Sequence, residues 1–154
     1  MSRIFLALLT ITLFTSAYYQ KSTSAIGGSW TFRSKQCSAN KFLRHAESTA
    51  IFDTTQNPHP KFIIDFYDKV ALASGKFKVI QGKPKEANEV SIGIGIITGA
   101  ILTFYSTNGG DGKETINVTI SDGKVNILGA GVEVANQKDP TDNAALSFDI
   151  TFVK

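Results

Sequence analysis

One cysteine, Cys37, stands among the 154 residues. It cannot close a disulfide within the chain, so the fold does without that staple. No base is spaced to activate its thiol, and it reads as a small buried hydrophobe. Histidine is nearly as scarce, at His45 and His59. A serine or cysteine nucleophile needs a base beside it, and His59 lies between Pro58 and Pro60 in a loop. His45 and Glu47, two apart on a strand, would share a face. No third ligand is spaced to complete a metal centre with them.

Phosphate-binding loops are missing as well. The run Gly93-Ile-Gly-Ile-Ile-Thr-Gly99 has neither the spacing of a dinucleotide fingerprint nor the lysine of a P-loop. Charge is sparse, at 19% of residues, with a net charge of +3 and an isoelectric point near 9.0. The lysines are scattered, without the basic stripe that nucleic acid asks for. The densest group, from Lys76 to Lys85, alternates with Phe77 and Val79 and reads as the wet face of a strand. Hydrophobic residues make up 42%, with eleven Phe among them, enough to build a core. The length is that of one domain.

The N-terminus has the layout of a secretory signal. Arg3 is followed by a largely apolar run from Ile4 to Phe14, then Thr15-Ser16-Ala17 supplies small residues before a cut. A second cut site follows Ala25. The organisation expected is a signal peptide over residues 1–17, a linker over 18–27 and one domain over 28–154. The apolar run is shorter than a membrane-spanning helix needs, and the alternative is an uncleaved anchor. No stable transmembrane segment is expected after signal removal. No cysteine follows the run to carry a lipid. The protein is therefore expected to be secreted, periplasmic or at the cell surface, where nucleotide-dependent chemistry is not expected and no cofactor is implied.

The rest of the chain alternates with period two, the signature of strands. Trp30 and Phe32 oppose Thr31 and Arg33. Phe62, Ile64 and Phe66 oppose Ile63, Asp65 and Tyr67. Ile116, Val118 and Ile120 oppose their threonine and asparagine neighbours, and Leu146, Phe148, Ile150 and Phe152 oppose Ser147, Asp149 and Thr151. Asp122-Gly123 is the clearest hairpin signal, because a type I′ turn needs φ > 0 at both central residues. Asn57-Pro-His-Pro60 breaks any strand, Ser74-Gly75 and Gly82-Lys-Pro84 bracket another, and Asp139-Pro-Thr-Asp142 is read as a loop. Residues 38–48 are read as a strand pair with a loop. Turn signals at this spacing, without a convincing amphipathic helix, predict an all-β fold, an antiparallel β-sandwich of about eight or nine strands.

Residues 90–105 carry no charge. They are read as a buried hairpin turning near Thr98-Gly99, with Gly93 and Gly95 leaving one face bare enough for a neighbouring Phe to pack closely. The alternatives are a membrane-inserting hairpin and a short transmembrane helix; burial of Ile92, Ile94 and Ile96 inside the sandwich would end the reading of residues 90–105 as a membrane-active segment.

Candidate chemistry is thin. Paired carboxylates for glycoside hydrolysis could come from Asp53, Asp65, Asp68, Glu86 or Glu89, with Asp65 expected to face solvent. Asn108-Gly-Gly-Asp111 and Asp139-Pro-Thr-Asp142 each offer two oxygen-bearing side chains for calcium, fewer than such a site takes, and both read as turns. Tyr67 and Tyr105 are candidates for stacking on a sugar, or for finishing the core with the hydroxyl in water. Asn117-Val-Thr119 matches a glycosylation acceptor but sits within a strand.

Several stretches occur together: Gly28-Ser-Trp-Thr-Phe32, Ser74-Gly-Lys-Phe-Lys-Val79, Glu89-Val-Ser-Ile92, Phe104-Tyr-Ser106 before a glycine-rich loop, and Thr115-Ile-Asn-Val-Thr-Ile-Ser-Asp-Gly-Lys-Val125. In this order they resemble small secreted or lipid-anchored β-sandwich domains of bacterial envelopes, a group without assigned function. The resemblance covers about residues 27–153 and rests on strand ends and turns. It implies a sandwich and an envelope location, and it brings no catalytic residue with it. The function expected is a non-enzymatic binding or structural module of the envelope with a protein or glycan partner. The alternatives are a secreted glycan-binding domain, a hydrolase with a cryptic carboxylate pair, and a membrane-active hairpin protein.

Overall fold

The computed structural model describes residues 26–45, 48–108 and 113–153. The signal-peptide reading falls on residues 1–17 and lies outside them. Eleven strands follow in order: β1 Gly27–Phe32, β2 Lys35–Ser38, β3 Lys41–His45, β4 Ser48–Phe52, β5 Lys61–Phe66, β6 Gly75–Val79, β7 Glu89–Thr98, β8 Ile101–Thr107, β9 Thr115–Ser121, β10 Lys124–Asn136 and β11 Asp139–Val153. There is no helix among the described residues. The chain is all-β, as the alternation predicts, with more strands than the eight or nine expected.

All eleven strands lie on one hydrogen-bonded sheet, in the order β2-β1-β11-β10-β9-β6-β7-β5-β4-β3. β8 leaves this path and pairs with both β7 and β10. Strands β6, β7, β8, β10 and β9 therefore form a closed circuit, which removes their edges. Every pairing is antiparallel except β6 with β7, joined in parallel at Lys78↔Glu89 and Val79↔Val90. Opposite β11, β10 serves two further partners because it is long and bent. Its first half pairs with β9 and its last three residues pair with β8. The bend is a bulge: between Gly129↔Phe148 and Val132↔Leu146, two residues of β10 oppose the single Ser147 of β11. Gly131 sits there at φ 67°, the conformation a glycine bulge uses.

Two arms leave the circuit, β11-β1-β2 from β10 and β5-β4-β3 from β7. Their apolar faces meet. The rings of Trp30 and Phe62 lie 6.0 Å apart, Phe62 and Phe148 5.1 Å, and Phe42 and Phe152 5.9 Å. Thr107 fills the split where β6 and β8 both approach β7. Its hydroxyl accepts from the Ile92 N–H at 3.3 Å and donates to the Ile80 carbonyl at 2.6 Å. This satisfies backbone groups that no strand reaches.

Turn chemistry follows the sequence at Asp122-Gly123, with φ of 49° and 71° in the β9–β10 hairpin. It departs from the sequence at Asp139-Pro-Thr-Asp142. The turn falls at Gln137-Lys138, and those four residues open β11. Asn136 pairs with Asp139 and Ala135 with Asn143, so Pro140, Thr141 and Asp142 bulge out. A bulge tolerates a proline because it demands no ladder N–H there. The bulge also aims Asp142 at Arg33, with which it forms an ion pair. Asp142 further accepts from the Tyr105 hydroxyl at 2.8 Å and the Asn136 amide at 3.1 Å.

The β1–β2 turn, Arg33-Ser34, has φ of 50° and 62° with neither glycine nor asparagine. The Arg33 contacts to Asp142 and to the Tyr105 ring hold it in place. Ser34 is exposed and pays the left-handed penalty without a compensating contact in its favour. Ser34→Gly is expected to raise stability by about 0.5–1 kcal/mol, read as a higher urea midpoint at unchanged m-value.

Candidate functional site

A cleft of about 720 Å³ opens on the outer face of β4, β5, β7 and β8. Period two builds its floor. On β5, Phe62, Ile64 and Phe66 point into the core, which leaves Ile63 and Asp65 on the other face. Register then sets Ser48 of β4 and Ser91 of β7 on either side of Asp65. The Ser48 hydroxyl donates to the carboxylate of Asp65, and that of Ser91 lies 3.5 Å from its other oxygen. Asp65 is thus half-buried at the centre of a row of hydroxyls instead of standing in open solvent.

Beside this row the β7 backbone is bare. A Cβ on Gly93 would lie 2.5 Å from Cζ of Phe104, so the ring rests directly on the glycine. Phe104 is half-buried and lines the cleft. Ser106, Asn108, Gln137 and Gln81 bring hydroxyl and amide groups to the walls, and Lys83 brings an ammonium. One carboxylate, one ammonium, several neutral donors and acceptors and one ring are the equipment of a site for a polar ligand with an apolar face.

Tyr105, a candidate for sugar stacking, is not part of this surface. It is 4% exposed, with its ring 4.9 Å from Phe32 and its hydroxyl on Asp142. The reason is parity: Tyr105 pairs with Ile94 on the core face, so its neighbour Phe104 is the residue turned outward. Tyr67 is half-buried on a smaller cavity of about 280 Å³, with Asp68, Lys69, Lys83, Pro84 and Lys85. Of the five candidate carboxylates, Asp65 alone lines the large cleft. Asp53 is buried under its own loop, and Asp68 belongs to the smaller cavity. Glu86 is exposed, and Glu89 accepts from the N–H groups of Lys85 and Glu86 at 2.7 and 3.1 Å.

His59 is exposed, with Nδ1 2.5 Å from the Gln56 carbonyl. His45 ends β3, and its proposed companion Glu47 lies outside the described residues. Among the described residues no three His, Cys, Asp or Glu side chains gather as a metal site. Of the turn Asn108-Gly-Gly-Asp111, weighed for calcium, all but Asn108 lies outside them. Cys37 is buried beside the Gln56 amide, and burial pushes its thiol up. Lys76 and Lys78 are exposed between the buried Phe77 and Val79, the wet strand face the alternation predicts.

Ser48, Ser91, Phe104 and Ser106 carried no signal of their own in the sequence. The usable one was the pair Gly93 and Gly95, which leaves room for a neighbouring Phe. No family model, curated protein or solved structure matches this chain.

Proposed function

We propose that this chain is an exported, non-catalytic binding module of the bacterial cell envelope, and that its ligand is a glycan received in the cleft around Asp65. The observation that carries the reading is the convergence of the Ser48-Asp65-Ser91 row with the outward ring of Phe104. The carboxylate would accept from sugar hydroxyls, and the ring would cover the apolar face of a pyranose. The N-terminal signal layout and the resemblance to envelope domains support the location. The arms that meet through Trp30, Phe62 and Phe148 support a sandwich-like layering beneath the site.

A hydrolase needs two carboxylates across the scissile bond, and the cleft lining supplies one among the described residues. A protein partner added as a strand would need a long open edge. The strands at the two ends of the sheet path, β2 and β3, have four and five residues. Both points favour the glycan.

The test is a glycan array followed by calorimetry on the oligosaccharides retained. Asp65→Ala and Phe104→Ala are each expected to weaken binding at least about tenfold, with Tyr67→Ala unchanged. Sugar binding that survives both cleft substitutions would place the ligand elsewhere.

A further inference from the structure

The β7–β8 hairpin reaches beyond its neighbours on both sides. On one side β5 begins at Lys61, opposite Gly95. On the other, the last β10 pair is Asn136↔Tyr105, with one further bond from the Gln137 N–H to the Phe104 carbonyl. The hairpin from Ile96 to Thr103 therefore has no strand beside it. Its root is buried: Ile92 and Ile94 are 2% and 1% exposed, and Ile96 packs against the core. Burial of Ile92 and Ile94 ends the reading in which residues 90–105 insert as a whole. Its tip is different, because Ile97, Ile101 and Leu102 are 42%, 65% and 57% exposed. Ile97 pairs with Leu102, and Ile101 pairs with Thr98, so apolar side chains project from both faces of the tip. No charged residue occurs from 90 to 108.

Charge gathers at the base of this hairpin. Lys61 faces Gly95 across the sheet, Lys138 follows Gln137 in the turn beside Phe104, and the Arg33 guanidinium lies 5.0 Å from the centre of the Tyr105 ring. The carboxylates at this end have local partners, and Asp139 is exposed. Asp142 holds Arg33, Tyr105 and Asn136, Asp139 accepts from the N–H and hydroxyl of Thr141, and Asp53 is buried. An aliphatic tip flanked by Lys61 and Lys138 complements a bilayer surface, with acyl chains above and anionic headgroups at the depth of the lysines. A tip that is apolar on both faces, and forms no groove, lacks the shaped surface that a protein partner packs against.

We propose that the β7–β8 tip docks this protein on anionic lipid bilayers, with Ile97, Ile101 and Leu102 entering the interface and Lys61 and Lys138 meeting the headgroups. The test uses the full chain with Cys37→Ala and an environment-sensitive fluorophore on Ala100→Cys at the tip, or on Ser121→Cys at the β9–β10 turn. Both are mixed with phosphatidylcholine vesicles with and without phosphatidylglycerol. The local probe separates the tip from the apolar run at residues 4–14, which all variants share. The Ala100→Cys probe is expected to shift to the blue on anionic vesicles and to be quenched by lipids carrying a quencher on the acyl chain, with the Ser121→Cys probe unchanged. Ile101→Asp with Leu102→Asp abolishes the shift. Lys61→Glu with Lys138→Glu weakens it at least about tenfold, as does added salt. A tip probe that keeps its aqueous emission while the chain sediments with vesicles would overturn the proposal. So would a blue shift that needs no lipid and grows with protein concentration, which would mean that a second copy covers the tip.

Discussion

Phe62→Ala is expected to lower stability by about 3–5 kcal/mol, out of a total of about 5–15 kcal/mol for a folded domain. Phe62 is fully buried on β5 and touches Trp30 of β1 and Phe148 of β11. It thus joins the two arms of the sheet, alongside the contact of Phe42 with Phe152. Its removal takes away a large apolar side chain and leaves a space lined by two other aromatics, which are too stiff to close it. Ile63→Ala, one residue on, faces the cleft and should cost far less. The comparison is made by urea unfolding, where the midpoint of Phe62→Ala falls well below that of Ile63→Ala. Equal midpoints would mean that the arms do not pack through this ring.

Asp53→Ala should be of similar size, about 3–5 kcal/mol, for a different reason. Asp53 is 2% exposed and its carboxylate ties three segments together. One oxygen accepts from the N–H and hydroxyl of Thr55 at 2.9 and 2.5 Å. The other accepts from the Ser38 N–H at 2.9 Å and the Gln56 amide at 2.6 Å. Alanine would leave these part-buried donors without their acceptor. Burial by itself pushes the carboxyl up, but the hydrogen bonds from Thr55, Ser38 and Gln56 outweigh it and hold the group well below the usual carboxylate range. The sign follows. A carboxyl whose pKa is lowered by folding adds stability that is fully present above its unfolded value, near 4, and is lost as pH falls toward the native value. The wild-type chain should therefore lose stability steeply below about pH 4. Asp53→Asn should be destabilised at neutral pH and lose less on acidification. The check is the urea midpoint of both proteins across that range.

What the sequence made legible was the alternation itself. Phe62, Ile64 and Phe66, and Leu146 through Phe152, fall on the core face as their spacing predicts. Asp122-Gly123 announced its turn because few other dipeptides tolerate two left-handed residues. Period two does not say which face is inside. That ambiguity set Tyr105 among the candidate surface aromatics instead of its neighbour Phe104. The strand count ran low because short strands such as β2 have too few residues to display a period. Asp139 to Asp142 looked like a turn because a bulge uses the same residues as a loop. The floor of the cleft was out of reach for a further reason. Ser48, Asp65 and Ser91 come from three strands, and their meeting depends on register, which no local pattern records.

The most direct test of the account is an amide NMR titration of the protein with an oligosaccharide retained on the array. Binding in the cleft predicts shifts concentrated at Asp65, Ser91, Gly93 and Ser106, quiet signals at Tyr67 and Lys85, and loss of the whole pattern in the doubly substituted Asp65→Ala, Phe104→Ala protein. Shifts centred on the Tyr67 cavity, or a pattern that survives the double substitution, would contradict it.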